Sequence, residues 1–198
     1  MIRSAISVKS WLRQTPTVEQ VRPSVCVGCG AAGRPAGAGL GLHGHGLRLR
    51  QFRGPPSVGA PPRITVLPVR RYQCQHCPAV LTVVPSETVP RRHYAATAIA
   101  LALALFGLCG RSHSQVRAAV SSDATVGVSA TRRWSTLSRW VDAVAARRLF
   151  PSMPAMPTEV DRCDIAARAA MAIGAHAPPS LDLGAPEARA FLGAAHLP

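Results

Sequence analysis

The sequence predicts an α+β chain: a small β domain stapled through cysteines, then an all-α bundle of helix-turn-helix type. Three observations predict it. Short β-patterned runs lie among the Gly, Pro and Ala of residues 28–62 and just beyond, and two Cys-x-x-Cys pairs bracket them. From Tyr94 onward apolar residues recur at helical spacing. Charge is also divided along the chain. Of 198 residues 23 are cations and 9 are acids, a formal net charge of +14, yet residues 22–86 hold eight arginines and no acid.

Composition and pattern divide the chain into four segments. Residues 1–21 form a lead-in, a short helix or irregular stretch in which Trp11 and Leu12 pack onto the β domain. Residues 22–86 form that domain. Leu47-Arg48-Leu49-Arg50-Gln51-Phe52 alternates apolar and polar, as a strand with one covered face does. Ile64–Leu67 continues through Val69 to Tyr72 as a second run, which Pro68 marks as an edge or broken strand. Val80–Val84 is a third. A ribbon this rich in Gly and Pro needs a staple beyond its core.

Residues 87–150 form the helical domain. Ala95–Phe106 is apolar on every side and predicts a central buried helix. Ser112 with Gln115 reads as a capping box that opens a second helix to about Ser121. A connector, 121–128, leads to a third helix capped by Ser129 and running to about Leu149. Ala130, Trp134, Leu137, Val141 and Val144 form its apolar stripe. Residues 151–198 read as a Pro/Ala-rich tail with one short helix, Glu159–Ile173, capped by Thr158 and otherwise loose.

Four of the six cysteines fall in pairs, Cys26/Cys29 and Cys74/Cys77. Two residues between thiolates let both sulfurs of a tight turn meet one ion, so two pairs supply four soft ligands for tetrahedral Zn2+. The 44 residues between the pairs exceed the roughly 15–20 of the common spacing. A redox pair is a rival reading, although it needs a helix after the motif, and Cys77-Pro78 leads into a strand. Four unrelated cysteines are a third reading. With four thiolates present, His43, His45 and His76 are expected in solvent or facing phosphate. Cys109 is expected as a small core residue, and Cys163 carries no assignment.

The glycine patterns at 28–33 and 39–44 match a dinucleotide fingerprint. Neither follows a strand or opens a helix, and no acid between Glu19 and Glu87 could hold a ribose. Five of the nine acids lie in the tail, no carboxylate trio suits a two-metal nuclease, and no serine or cysteine is paired with a base. The reading is therefore a binding protein, not an enzyme. No signal peptide opens the chain, and the apolar run Ala95–Cys109 is short of the roughly 20 residues a membrane span needs, so a cytoplasmic, nucleoid-associated protein is expected. The basic blocks point to double-stranded DNA. Arg48, Arg50, Arg53, Arg70 and Arg71 would hold phosphates. Arg132, Arg133, Thr136 and Arg139 on the third helix would face the major groove.

Cys26-x-x-Cys29-Gly30, the run from His43 to Gly46 with Arg48, then Arg70-Arg71-Tyr72-x-Cys74-x-x-Cys77, Arg91-Arg92-His93-Tyr94 and Arg133-Trp134 resemble the N-terminal part of bacterial insertion-sequence transposases. They also resemble stand-alone bacterial proteins built the same way. The resemblance covers about residues 22–148. It implies a zinc-binding ribbon followed by a helix-turn-helix. The catalytic acid-bearing domain of a transposase has no counterpart here, so what carries over stops at DNA binding. A truncated transposase fragment that needs a catalytic partner chain, and a zinc-ribbon protein-interaction module, are the alternative readings. A homodimer is compatible with each.

Overall fold

The structure, a computed structural model, describes residues 1–123, 134–155, 160–179 and 184–197. It is α+β, as predicted. Strands and cysteine pairs come first in the chain and most of the helices lie after them. Two compact units form: residues 1–52 with 65–90, and residues 53–64 with 91–198.

The first unit is built on a sheet of order β1-β4-β3-β2. Its strands are β1 (Ile2–Arg3), β2 (Leu42–Gly54), β3 (Arg63–Cys74) and β4 (Val80–Val84). β4 runs antiparallel to β3, with Arg70 opposite Val83 and Tyr72 opposite Leu81. The eight residues between β2 and β3 are too few for a parallel crossover, so the two strands form a hairpin. β3 is thus a central strand, which corrects the edge or broken strand expected from Pro68. The β4 ladder begins at Arg70, so the N–H that Pro68 lacks has no β4 partner to lose.

The lead-in is part of this unit. β1 adds to β4 in parallel, Ile2 opposite Val83, and helix α1 spans Val8–Arg13 under the cap of Ser7. Trp11 is almost wholly buried, whereas Leu12 is exposed. The Trp11 indole N–H donates to the Pro68 carbonyl at 2.8 Å, so the ring joins the core without an orphaned donor. Glu87 Oε2 accepts from the first helical amide, Val8, at 2.8 Å.

The second unit gathers around α2 (Ala96–Gly107), whose residues from Ala96 to Ala104 are all buried. The predicted capping box is present at α3 (His113–Val120): Ser112 accepts from the Gln115 amide, and Gln115 accepts in return. α4 spans Ser135–Ala145 and buries Leu137, Trp140, Val141 and Val144. The expected third helix differs at its start. Trp134 is a half-buried N-cap residue rather than a stripe residue. Its ring stands edge-on to Tyr94 and Trp140, and its amide donates to His113 Nδ1 at 3.1 Å. Ser129 and Ala130 lie outside the described residues.

The described part of the tail is not loose. Helix α5 spans Arg162–Gly174 and α6 spans Pro186–Gly193, and both pack on α2. Asp161 caps α5 by accepting from the Asp164 amide at 2.9 Å; Thr158, the expected cap, lies outside the described residues. Ile165, Ala169, Ala170 and Ile173 are buried, as are Ala190 and Phe191. Close packing requires Gly107, where a Cβ would stand 2.2 Å from the Ala167 backbone nitrogen.

Two outcomes test this packing. Gly107→Val forces α2 and α5 apart, so it should cost at least about 1–3 kcal/mol in denaturant unfolding. Trp11→Ala should cost about 3–5 kcal/mol if residues 1–21 belong to the folded core, and almost nothing if they are a detached lead-in.

Candidate metal centre

Two turns bring the four paired cysteines together. In the first, the Gly30 amide donates to the Cys26 carbonyl at 2.8 Å, and the Cys26 amide donates to the Ala31 carbonyl at 2.8 Å. Gly30 completes this turn at φ +74, a left-handed conformation that costs glycine little. The second turn joins β3 to β4. Cys74 ends β3, and its amide donates to the Ala79 carbonyl at 3.0 Å.

Cys26 Sγ lies 3.7 Å from Cys77 Sγ, and Cys29 Sγ lies 3.7 Å from Cys74 Sγ. All four sulfurs fall within 4.8 Å of one another, a group that could hold a metal ion. These separations are far from the roughly 2.05 Å of a disulfide. Backbone amides point at the cluster from both turns: Gly28 N–H to Cys26 Sγ at 3.4 Å and His76 N–H to Cys74 Sγ at 3.3 Å. Cys26 and Cys74 are buried, Cys77 is half-buried and Cys29 is exposed.

The electrostatics of four crowded thiols are unequal. Cys26 is drawn down to about 7, first by the Gly28 amide and then by the Cys29 amide. Cys77 is pushed up to about 12. The Ala79 amide favours its thiolate, but burial and the neighbouring sulfurs of Cys29, Cys26 and Cys74 outweigh it. The cluster thus accommodates one negative charge and resists the next, as like charges at this distance must. A bound cation is what allows all four sulfurs to ionise. His43, His45 and His76 are outside the sulfur group; His43 Nε2 instead meets the Leu40 carbonyl at 3.1 Å.

The arginines assigned to phosphate divide sharply. Arg48 is exposed. Arg50 is half-buried and donates to the Val89 carbonyl at 3.3 Å, and burial pulls its pKa down. Arg70 donates from Nε to the Pro16 carbonyl at 2.8 Å. Arg53, in the second unit, pairs with Asp123 at 2.6 Å. Arg71 is half-buried, with its Nε enclosed and without a hydrogen-bond partner. On α4, Arg139 is exposed and Thr136 half-buried; Arg132 and Arg133 lie outside the described residues.

Sequence reasoning missed Arg22, which braces the first turn. Its guanidinium donates to the Leu42 carbonyl, pairs with Glu19 at 2.5 Å and lies 5.7 Å from the Tyr72 ring centre. Tyr72 in turn donates to the Val18 carbonyl at 2.6 Å. The only advance signal was Glu19, the last acid before the acid-free block. Cys109 and Cys163 are half-buried in the second unit, far in sequence from the pairs. Cys109 donates to Glu187 at 3.5 Å and Cys163 to the Phe106 carbonyl at 3.6 Å. Cys109 is therefore not the purely apolar core residue expected.

No helix among the described residues is long and apolar enough to cross a membrane. No curated protein and no solved structure matches the chain. One family model does, over residues 38–140, slightly more than half of the sequence. The match takes in β2, β3, the second cysteine pair and α2 through the first half of α4, and the first pair precedes it. The chain belongs to the family described as a domain of unknown function, DUF6431.

Proposed function

We propose that this chain is a zinc-dependent DNA-binding protein, related to the N-terminal regions of insertion-sequence transposases. The observation that carries the reading is a four-sulfur cluster whose cysteines all lie in a stretch of sequence, residues 22–86, that holds no acid. Four sulfurs placed tetrahedrally about 2.3 Å from a zinc ion stand about 3.8 Å apart, and two pairs here stand at 3.7 Å. Cys26, Cys29, Cys74 and Cys77 would hold the ion, and the Gly28 and His76 amides would share the sulfur charge. Zinc bound by four thiolates has a structural role, because no position is left open for water or substrate.

For DNA, the arginines favour a smaller contact set than charge counting gave. Arg48 and Arg71 support the phosphate role best on the β side. Arg50, Arg53 and Arg70 are engaged within the chain. On the helical side the reading keeps Arg139 and Thr136 of α4, with Arg132 and Arg133 just before it, as the groove-facing group.

Metal content tests the zinc half of this reading. Protein purified without chelator should carry one zinc per chain, and Cys74→Ser should lose it and soften the first unit in thermal unfolding. A metal content near zero in the unsubstituted protein would remove the ribbon reading.

Salt dependence tests the DNA half. Affinity for a duplex, read by fluorescence anisotropy, should fall linearly on a log–log salt plot with a slope of about −0.9 per neutralised phosphate. Arg48→Ala should flatten that slope by about one unit. Arg50→Ala should instead lower stability and leave the slope unchanged, since its guanidinium serves the Val89 carbonyl. Affinity indifferent to salt would favour a protein-interaction module.

A further inference from the structure

On the DNA reading proposed above, we infer that His113 is a positioning residue for α4: from α3 it supplies the acceptor that the start of α4 lacks, and so holds the first turn of the groove-facing helix. In a capping box the third helical residue accepts from the N-cap amide and closes the first turn. α3 has that pair in Ser112 and Gln115. α4 does not. Its N-cap residue, Trp134, makes no side-chain capping bond, and its third residue is buried Leu137, whose side chain has no acceptor. The Trp134 amide donates instead to His113 Nδ1 at 3.1 Å.

His113 is itself held by two other elements. It is the first residue of α3, so the capping box sets its backbone. Its ring stands edge-on to Phe106 of α2, with centroids 5.1 Å apart and planes at 79°. A backbone amide can only donate, so Nδ1 must accept, and it accepts only while it carries no proton. The neutral ring then has its proton on Nε2.

The anchored amide falls within the proposed contact set. Arg132 and Arg133 immediately precede Trp134 in sequence, and Thr136 and Arg139 follow it. Burial of Leu137, Trp140, Val141 and Val144 fixes the body of α4. Its first turn has the His113 bond and the edge-on contacts of the Trp134 ring. Base readout needs side chains held in place before contact, because ordering a loose turn on binding subtracts from affinity. Phosphate attraction carries no sequence information and tolerates a looser turn. Losing the His113 acceptor should therefore weaken base preference more than it weakens DNA binding in general.

Binding of the full chain to two probes tests this role: a duplex that the parent protein enriches from a randomised pool, and an unselected duplex of equal length. His113→Asn places Oδ1 where Nδ1 stands, whereas His113→Leu keeps bulk against Phe106 without an acceptor. His113→Leu should lower the preference for the selected duplex roughly three- to tenfold, and affinity for the unselected one by less than about twofold. His113→Asn should keep the preference within about twofold of the parent. In the parent, 15N-resolved imidazole spectra at about pH 8, above the ordinary histidine range, should show the His113 proton on Nε2. A proton on Nδ1 would overturn the inference whatever the variants do. So would a His113→Leu chain with the parent's preference, or a His113→Asn chain no better than His113→Leu. A pool in which the parent enriches no sequence would overturn the groove role of α4 and this inference with it, whereas a selected duplex that parent and His113→Leu bind alike overturns this inference alone.

Discussion

The convergence of Cys26 and Cys29 with Cys74 and Cys77 is the constraint on which the first unit depends. The pairs are separated by 44 residues, and those residues must leave and return to one point within 4.8 Å. A long hairpin is a direct way to do this. β2 starts at Leu42 and β3 ends at Cys74, so both strands have one end near the cluster. The Gln75 amide donates to the Gly41 carbonyl at 3.0 Å and closes the base of the hairpin beside the sulfurs. The unusual spacing therefore reflects a long hairpin rather than a weakened motif.

The second constraint is the absence of acids between Glu19 and Glu87. Arginines in such a block find carboxylates only outside it, Glu19 for Arg22 and Arg34 and Asp123 for Arg53, and a buried guanidinium without an acceptor is costly. Backbone carbonyls serve as further acceptors. Arg22 reaches Leu42, Arg50 reaches Val89 and Arg70 reaches Pro16. Each link ties a loop or lead-in to a strand, so much of the positive charge is structural. Net charge counted from sequence overstates the cationic surface for this reason, because the count cannot separate a guanidinium in solvent from one spent on a carbonyl.

How much was legible in the sequence depends on how local each signal is. The capping box at Ser112 needs only Gln115, the buried helix needs only its own apolar run, and the cysteine pairs need only their two-residue spacing. β4 was read with its bounds intact because Val80–Val84 is a compact β-branched run. The misses are non-local. β1 is two residues long and exists only because β4 offers an edge. The status of Pro68 depended on where the β4 ladder begins. Trp134, expected on the buried stripe, gives way to Trp140, to which no role was assigned, and Tyr94, some forty residues earlier, packs against both: the ring centroids of Tyr94 and Trp140 lie 4.9 Å apart, edge-on.

The order of the tail stems from the composition of α2. A helix of alanines and short apolar residues buried on all sides has no polar stripe to turn toward water, so neighbours must cover its whole circumference. α3 and α4 are too few for that. α5 and α6 supply the rest, and their own alanines at 166, 169, 170 and 190 let the backbones approach as closely as Gly107 demands. Small residues on both sides of a contact bury little area each, and close approach recovers the lost dispersion contacts. An alanine-rich segment at the end of a chain reads as loose when judged alone. The same residues become the complement of α2 once a helix with no solvent face must be enclosed.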